Sequence, residues 1–212
     1  MRRRQYSVND DFFSSPTPLN SYWAGFIAAD GCVHEDKYSK WLEISIDYKD
    51  IDHVARFCED VEYNGPIARY DHIVRVVIYS KQIVNDLERH FNITQRKSLT
   101  LRRPHLSDIN SLAYIIGYID GDGCIYIKDN KYLGLNVVGT TDVLEFMIER
   151  FKTMTTWPTH CRQSSIRPAT NCKTNITKQY AIVGDHCKTI LSKLNAMDVP
   201  KMSRKWRHVS SK

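Results

Sequence analysis

The chain has 212 residues, 42% of them hydrophobic and 11% aromatic, which is enough apolar side chain for one large core or two small ones and excludes a disordered chain. Lys and Arg number 30 against 24 Asp and Glu, a formal charge of +6, and the basic residues gather at Arg2 to Arg4, Arg96-Lys97, Arg102-Arg103 and Lys201, Arg204, Lys205 and Arg207, a distribution that suits a phosphate-backbone partner. No apolar run nears the roughly 20 residues that span a bilayer, and the basic start has no apolar segment behind it, so the expectation is an intracellular protein of the cytoplasm, nucleoid or an organelle matrix with no membrane partner.

In chain order, Thr17-Pro18 reads as an N-cap with proline at the first helical position, opening a helix that ends at Asp30-Gly31. LEISI (42 to 46) alternates like a strand, and Ile51, Val54, Phe57, Cys58 and Val61 follow at helical spacing. IVRVVIYS (73 to 80) then precedes the helix-like KQIVNDLERHF, and ITQRKS (93 to 98) closes the series with basic residues. The polar stretch 94 to 110, with Pro104, is a connector, and Ser107 or Asp108 can cap the next helix.

The same series then recurs. Shifted by 92 positions (122 − 30), SYWAGFIAADGCV (21 to 33) falls on AYIIGYIDGDGCI (113 to 125), with Tyr22/Tyr114, Gly25/Gly117, Ile27/Ile119, Asp30/Asp122, Gly31/Gly123 and Cys32/Cys124 coincident. LGLNVV (133 to 138) is the matching strand, Val143, Phe146, Met147, Ile148 and Phe151 the matching helix, KQYAIVG and DHCKTILSKLN the next pair, and VPKMSRK (199 to 205) the closing basic segment. The predicted organisation is an N-terminal repeat over 1-98, a linker over 99-110 and a C-terminal repeat over 111-212, each reading helix, two strands, helix, two strands, helix.

Asp30 and Asp122 each fall on the last residue of a predicted helix, with Gly31 and Gly123 expected in the left-handed conformation of a helix C-cap. A carboxylate there opposes the partial negative charge of the helix end, so a compensating cation is expected. Small residues mark one face of each helix: Ala24, Gly25, Ala28 and Ala29 in the first, Gly117 and Gly121 in the second. Packed through these faces, the helices would bring Asp30 and Asp122 together, where the two carboxylates raise each other's pKa unless neutralised. Mg²⁺, with Mn²⁺ able to substitute, accepts such carboxylates together with backbone carbonyls, here those of Ala29 and Gly121, and leaves room for phosphate. An EF-hand is excluded because Cys124 and Lys131 stand where its loop needs ligands. The six cysteines form no CxxC pair, and His160-Cys161, Cys172 and His186-Cys187 match no zinc spacing, so they read as reduced thiols. A paired-aspartate protease usually carries Ser or Thr after Asp-Gly, where this chain has Cys32 and Cys124.

WAGFIAADG (23 to 31) and IIGYIDGDG (115 to 123) resemble the two motifs of a single-chain LAGLIDADG homing endonuclease. The resemblance implies an α+β fold made of a pseudo-twofold duplicated αββαββα repeat with two saddle-like antiparallel sheets astride double-stranded DNA. It implies a monomer that makes a sequence-specific double-strand break with Mg²⁺, one strand per half, as in intron homing. Asp30 and Asp122 take the motif's metal-binding position. The motif's earlier aspartate is present as Asp120 but is Ala28 in the first copy. A catalytic lysine or arginine is implied near each centre, for which Arg96 or Lys97 and Lys201, Arg204 or Lys205 are the candidates. Asp47, Tyr48 and Thr140 are candidates for ordering solvent. Base and backbone contacts are expected from strand residues Lys40, Glu43, Arg69, Arg75, Lys128, Asn136, Arg162, Gln163, Arg167 and Lys178. The halves differ in these segments, so an asymmetric site is expected. The alternatives are a maturase-like splicing factor with intron RNA as partner, or a non-cleaving DNA-binding regulator on the same scaffold.

Overall fold

The computed structural model describes residues 5–156, 166–169 and 177–210. The first half contains α1 (Pro18–Asp30), β1 (Gly31–Glu35), β2 (Lys40–Asp47), α2 (Ile51–Asp60), β3 (Ala68–Tyr70), β4 (Ile73–Tyr79) and α3 (Lys81–Phe91), followed by a one-turn helix α4 (Lys97–Thr100). The second half contains α5 (Asp108–Asp122), β5 (Gly123–Lys128), β6 (Tyr132–Gly139), α6 (Thr141–Met154), β7 (Ile166–Pro168), β8 (Lys178–Val183) and α7 (Asp185–Asn195), and ends in α8 (Ser203–Ser210). The duplicated αββαββα architecture is therefore present, with α4 and α8 added where each half closes. Both sheets are four-stranded and antiparallel, ordered β1-β2-β4-β3 and β5-β6-β8-β7.

Local chemistry sets these elements. Thr17 and Asn20 form a reciprocal capping box, and Pro18 occupies the first turn of α1. Ser80 and Thr140 cap α3 and α6 through their hydroxyls. Strand side chains alternate between faces, so Leu42, Ile44 and Ile46 enter the core while Trp41, Glu43 and Ser45 face outward. Each fully buried Leu, Ile or Phe stabilises the fold by about 1.5–3 kcal/mol.

The glycines that close the motif helices correct one expectation. Gly31 (φ −83°, ψ 168°) and Gly123 (φ −95°, ψ 154°) are extended, because β1 and β5 start directly at the helix end. Glycine is required there by proximity: a Cβ would lie 2.9 Å from Ile27 O at Gly31 and 2.5 Å from Ile119 O at Gly123.

Candidate active site

Helices α1 and α5 pack backbone to backbone. A Cβ on Gly25 would sit 1.9 Å from Tyr114 O, and one on Gly117 would sit 1.9 Å from Tyr22 O. These are matched positions in the two copies, so the contact is its own mirror across the pseudo-twofold axis. Further along, a Cβ on Gly121 would fall 2.2 Å from the Ala29 Cβ. Axes this close carry the two C-terminal ends side by side, with Asp30 and Asp122 at the rim, where both reach solvent.

The electrostatics follow from that placement. Partial burial and the neighbouring Asp30 carboxylate push Asp122 up from 3.8 to about 6. Burial raises Asp30 as well, against the pull of the Lys205 and Lys97 ammoniums. Burial lowers both lysines, while the aspartates draw them back up. The cluster thus comprises two carboxylates and two ammoniums.

The lysines supply the compensating charge expected at the helix ends. Lys97 Nζ donates to Ala28 O (2.7 Å) and Ala29 O (2.9 Å) at the end of α1. Lys205 Nζ donates to Gly121 O (2.6 Å), Gly123 O (2.9 Å) and Ile119 O (3.3 Å) at the end of α5. Each ammonium therefore binds the carbonyl that precedes a motif aspartate, a favourable position at a helix C-terminus.

The other candidate cations are placed elsewhere. Arg204 forms a two-pronged pair with Asp50 (2.6 and 2.9 Å) and ties α8 to the first half. Lys201 donates to Met197 O and Val199 O. Arg96 is exposed at the left-handed N-cap of α4 (φ 56°). Of the suggested solvent-ordering groups, Asp47 accepts from Lys49, Tyr48 lies beneath the Arg69 guanidinium, and Thr140 bonds Leu101 O.

The donor set fits a hard divalent cation. Asp30 makes no hydrogen bond or ion pair among the described residues, so its oxygens are open to solvent beside a second carboxylate. The carbonyls of Ala29 and Gly121 each spend one lone pair on a lysine and keep the other. All of these donors are oxygen, as Mg²⁺ or Mn²⁺ prefers.

Sheet register sorts the expected DNA contacts. Glu43, Arg75, Lys128, Asn136 and Arg167 lie on the faces turned away from the core. Lys40 shares the parity of buried Leu42 and Ile44 and pairs with Glu35 at 2.9 Å. Arg69 pairs across from buried Val74 and stacks on Tyr48 at 3.7 Å, and Lys178 shares the parity of buried Tyr180 and Ile182. Each of these three carries charge, but its strand position points it off the outer face. Arg162 and Gln163 lie outside the described residues. Sequence reasoning missed the outward aromatics His34, Trp41, Tyr79 and Tyr126, together with Gln179. The 10° stacking of His34 on Trp41 was signalled only by strand alternation.

Protonation gives a stability test. Asp122 is raised in the folded state, so its contribution is full below about 3.8 and is lost as pH rises through about 6. His53, lowered from 6.5 to about 4 by burial, contributes above 6.5 and loses that contribution as pH falls towards 4. The two slopes oppose. Asp122→Asn should therefore steepen the loss of thermal stability between pH 6.5 and 4 in chelator; an unchanged slope against wild type would refute the upward shift of Asp122.

The geometry defines the LAGLIDADG homing endonuclease fold. The chain matches the I-LtrWI LAGLIDADG homing endonuclease bound to target DNA with a TM-score of 0.59 and 11% identity, over 96% of this chain and 90% of that one. It matches the LAGLIDADG meganuclease I-AabMI bound to uncleaved DNA at 0.55 and 11% identity (92% and 91% covered). The LAGLIDADG homing endonuclease I-GzeII in complex with DNA target matches at 0.51 and 12% identity (92% and 84% covered). No protein-family model and no curated protein sequence matches the chain.

Proposed function

We propose that the protein is a sequence-specific homing endonuclease that cuts both strands of a long asymmetric DNA site by Mg²⁺-dependent phosphodiester hydrolysis. The observation that carries this reading is the Asp30–Asp122 pair flanked by the Lys97 and Lys205 ammoniums at the meeting ends of α1 and α5. The fold neighbours bound to DNA support the double-stranded partner. One chain supplies both motifs, which supports a monomer.

Asp30, Asp122 and the carbonyls of Ala29 and Gly121 would hold the cation, which supplies charge neutralisation at the scissile phosphate and an activated water. Lys97 and Lys205 favour the ionised form of the aspartates and would add positive charge where phosphate charge grows. Outer-face Arg75, Glu43, Asn136, Gln179, Lys128 and Arg167 would face the major groove, which admits a β-ribbon. The packing of Tyr126 over Gly134, where a Cβ would meet the ring at 2.6 Å, shapes the second half's face differently from the first.

The test is a plasmid library carrying randomised sites, incubated with Mg²⁺, with Mn²⁺ or with chelator. Linear product should appear only with a divalent cation. Tight binding of a site that is never cut would favour the regulator. Binding should also fall by roughly 10³–10⁵ between 50 and 200 mM salt if about 6–10 phosphates are contacted, and a flat dependence would remove nucleic acid as the partner.

A further inference from the structure

We infer that Asp120 is a positioning residue for the Lys205 centre alone, so that it sets the relative rate at which the two DNA strands are cut; this rests on the nuclease reading above. Asp120 is fully buried. Its Oδ2 accepts from the Tyr22 hydroxyl (2.6 Å) and from the Met202 backbone N–H (2.8 Å), and its Oδ1 accepts from Trp206 Nε1 (2.7 Å). Tyr22 is itself fixed on its other side by His53 Nε2 at 2.8 Å. Because the hydroxyl proton goes to Asp120, the imidazole must donate to the Tyr22 oxygen, which sets the whole chain of bonds in one direction.

Met202 and Trp206 bracket Lys205 in sequence, and Trp206 lies beside it on α8. The Asp120 carboxylate therefore holds the chain just before α8, at Met202, and α8 itself, at Trp206, on either side of the residue whose ammonium reaches Gly121 O and Gly123 O. Burying a carboxylate is costly unless it is well bonded, and three donors meet that need here.

The first half is built differently. Its matching position is Ala28, which has no side-chain acceptor, and Lys97 comes from α4 and bonds the Ala28 and Ala29 carbonyls directly. Only one of the two lysines is thus placed by a motif carboxylate. An amide at position 120 cannot accept from all three donors: in either orientation its NH₂ faces the Trp206 N–H or the Met202 N–H. The α8 anchor loosens while the α4 anchor does not. A misplacement of about 1 Å at a reacting centre costs about 10²-fold in rate.

The experiment uses the duplex site recovered from the plasmid library, labelled separately on each strand. Lys205→Met first identifies which strand depends on that lysine. Asp120→Asn should then slow the same strand about 100-fold and leave the other within about threefold, so nicked duplex accumulates. Amide hydrogen exchange in chelator should show α8 losing protection while α4 keeps it. Asp120→Asn with Trp206→Phe removes the donor clash and should bring the Lys205 strand back from about 100-fold slowing to the roughly tenfold bias of Trp206→Phe alone.

Equal slowing of both strands would show that Asp120 only stabilises the fold and would overturn the inference, as would no slowing at all. A wild type that cuts neither strand with Mg²⁺ or Mn²⁺ would remove the nuclease reading, and this inference with it. Should Asp120→Asn fail to fold, Trp206→Phe alone carries the test, with about tenfold bias against the Lys205 strand expected from the one lost anchor.

Discussion

Alanine at Gly25 or at Gly117 should strongly destabilise the native state. Helix propensity alone points the other way, since alanine favours a helix over glycine by about 1 kcal/mol. The interface decides the sign. A Cβ at either position would lie 1.9 Å from a backbone carbonyl of the facing helix, and no rotamer change can move a carbonyl. The axes must separate, which opens the packing of Tyr22, Trp23, Ile27, Tyr114 and Ile119 that both halves share. Overpacking of that kind costs about 4 kcal/mol or more where the obstacle is backbone. Denaturant unfolding of the two variants checks it, and because the geometry is matched, the two losses should be similar. A stabilised Gly25→Ala would mean the helices do not pack through this face.

The same two glycines explain why so much of the fold was legible in the sequence. Duplication at a shift of 92 keeps Gly25 and Gly117 in register with Tyr22 and Tyr114, so the contact pair appears twice in the text of the chain. Strand alternation and the Thr17-Pro18 start were equally direct. The site was legible only in part. Lys97 and Lys205 are separated by 108 (205 − 97) rather than 92, because each comes from a closing helix that the repeat does not hold in register, and the sequence left them among three other cations. Asp120 recruits donors 82 and 86 residues downstream, partners that no local pattern can disclose. Lys40, Arg69 and Lys178 attract attention by charge, yet the parity of neighbouring Leu42, Val74 and Tyr180 turns them off the outer face. The extended glycines at 31 and 123 depart from the helix C-cap pattern for a related reason: the next strand begins at once and leaves no residue for a left-handed turn.

Asp30→Asn and Asp122→Asn should each move activity and stability in opposite directions. The amide is nearly isosteric but neutral, so a divalent cation loses an anionic ligand at the point where phosphate charge must be offset. A loss of several kcal/mol of such stabilisation corresponds to about 10³-fold in cleavage rate. Stability responds to the balance already present in the cation-free fold. Asp122 gains from Lys97 and Lys205 but loses more from burial and from Asp30, which is why its pKa lies at about 6 rather than below 3.8. Removing that charge relieves a net unfavourable term, so at pH 7 in chelator the Asp122→Asn protein should melt higher than wild type. Asp30, raised by burial against the same two lysines, should behave likewise. Adding Mg²⁺ should raise the melting temperature of the wild type and much less that of either variant, since a ligand stabilises only in proportion to its affinity for the folded state. Paired measurements of cleavage and melting on the same preparations separate the outcomes. A variant that loses cleavage and melts lower would mean the carboxylates hold the fold together, while one that keeps cleavage would remove the pair from the chemistry. The expected result, a more stable and inactive protein, marks residues kept for function at a cost to the fold.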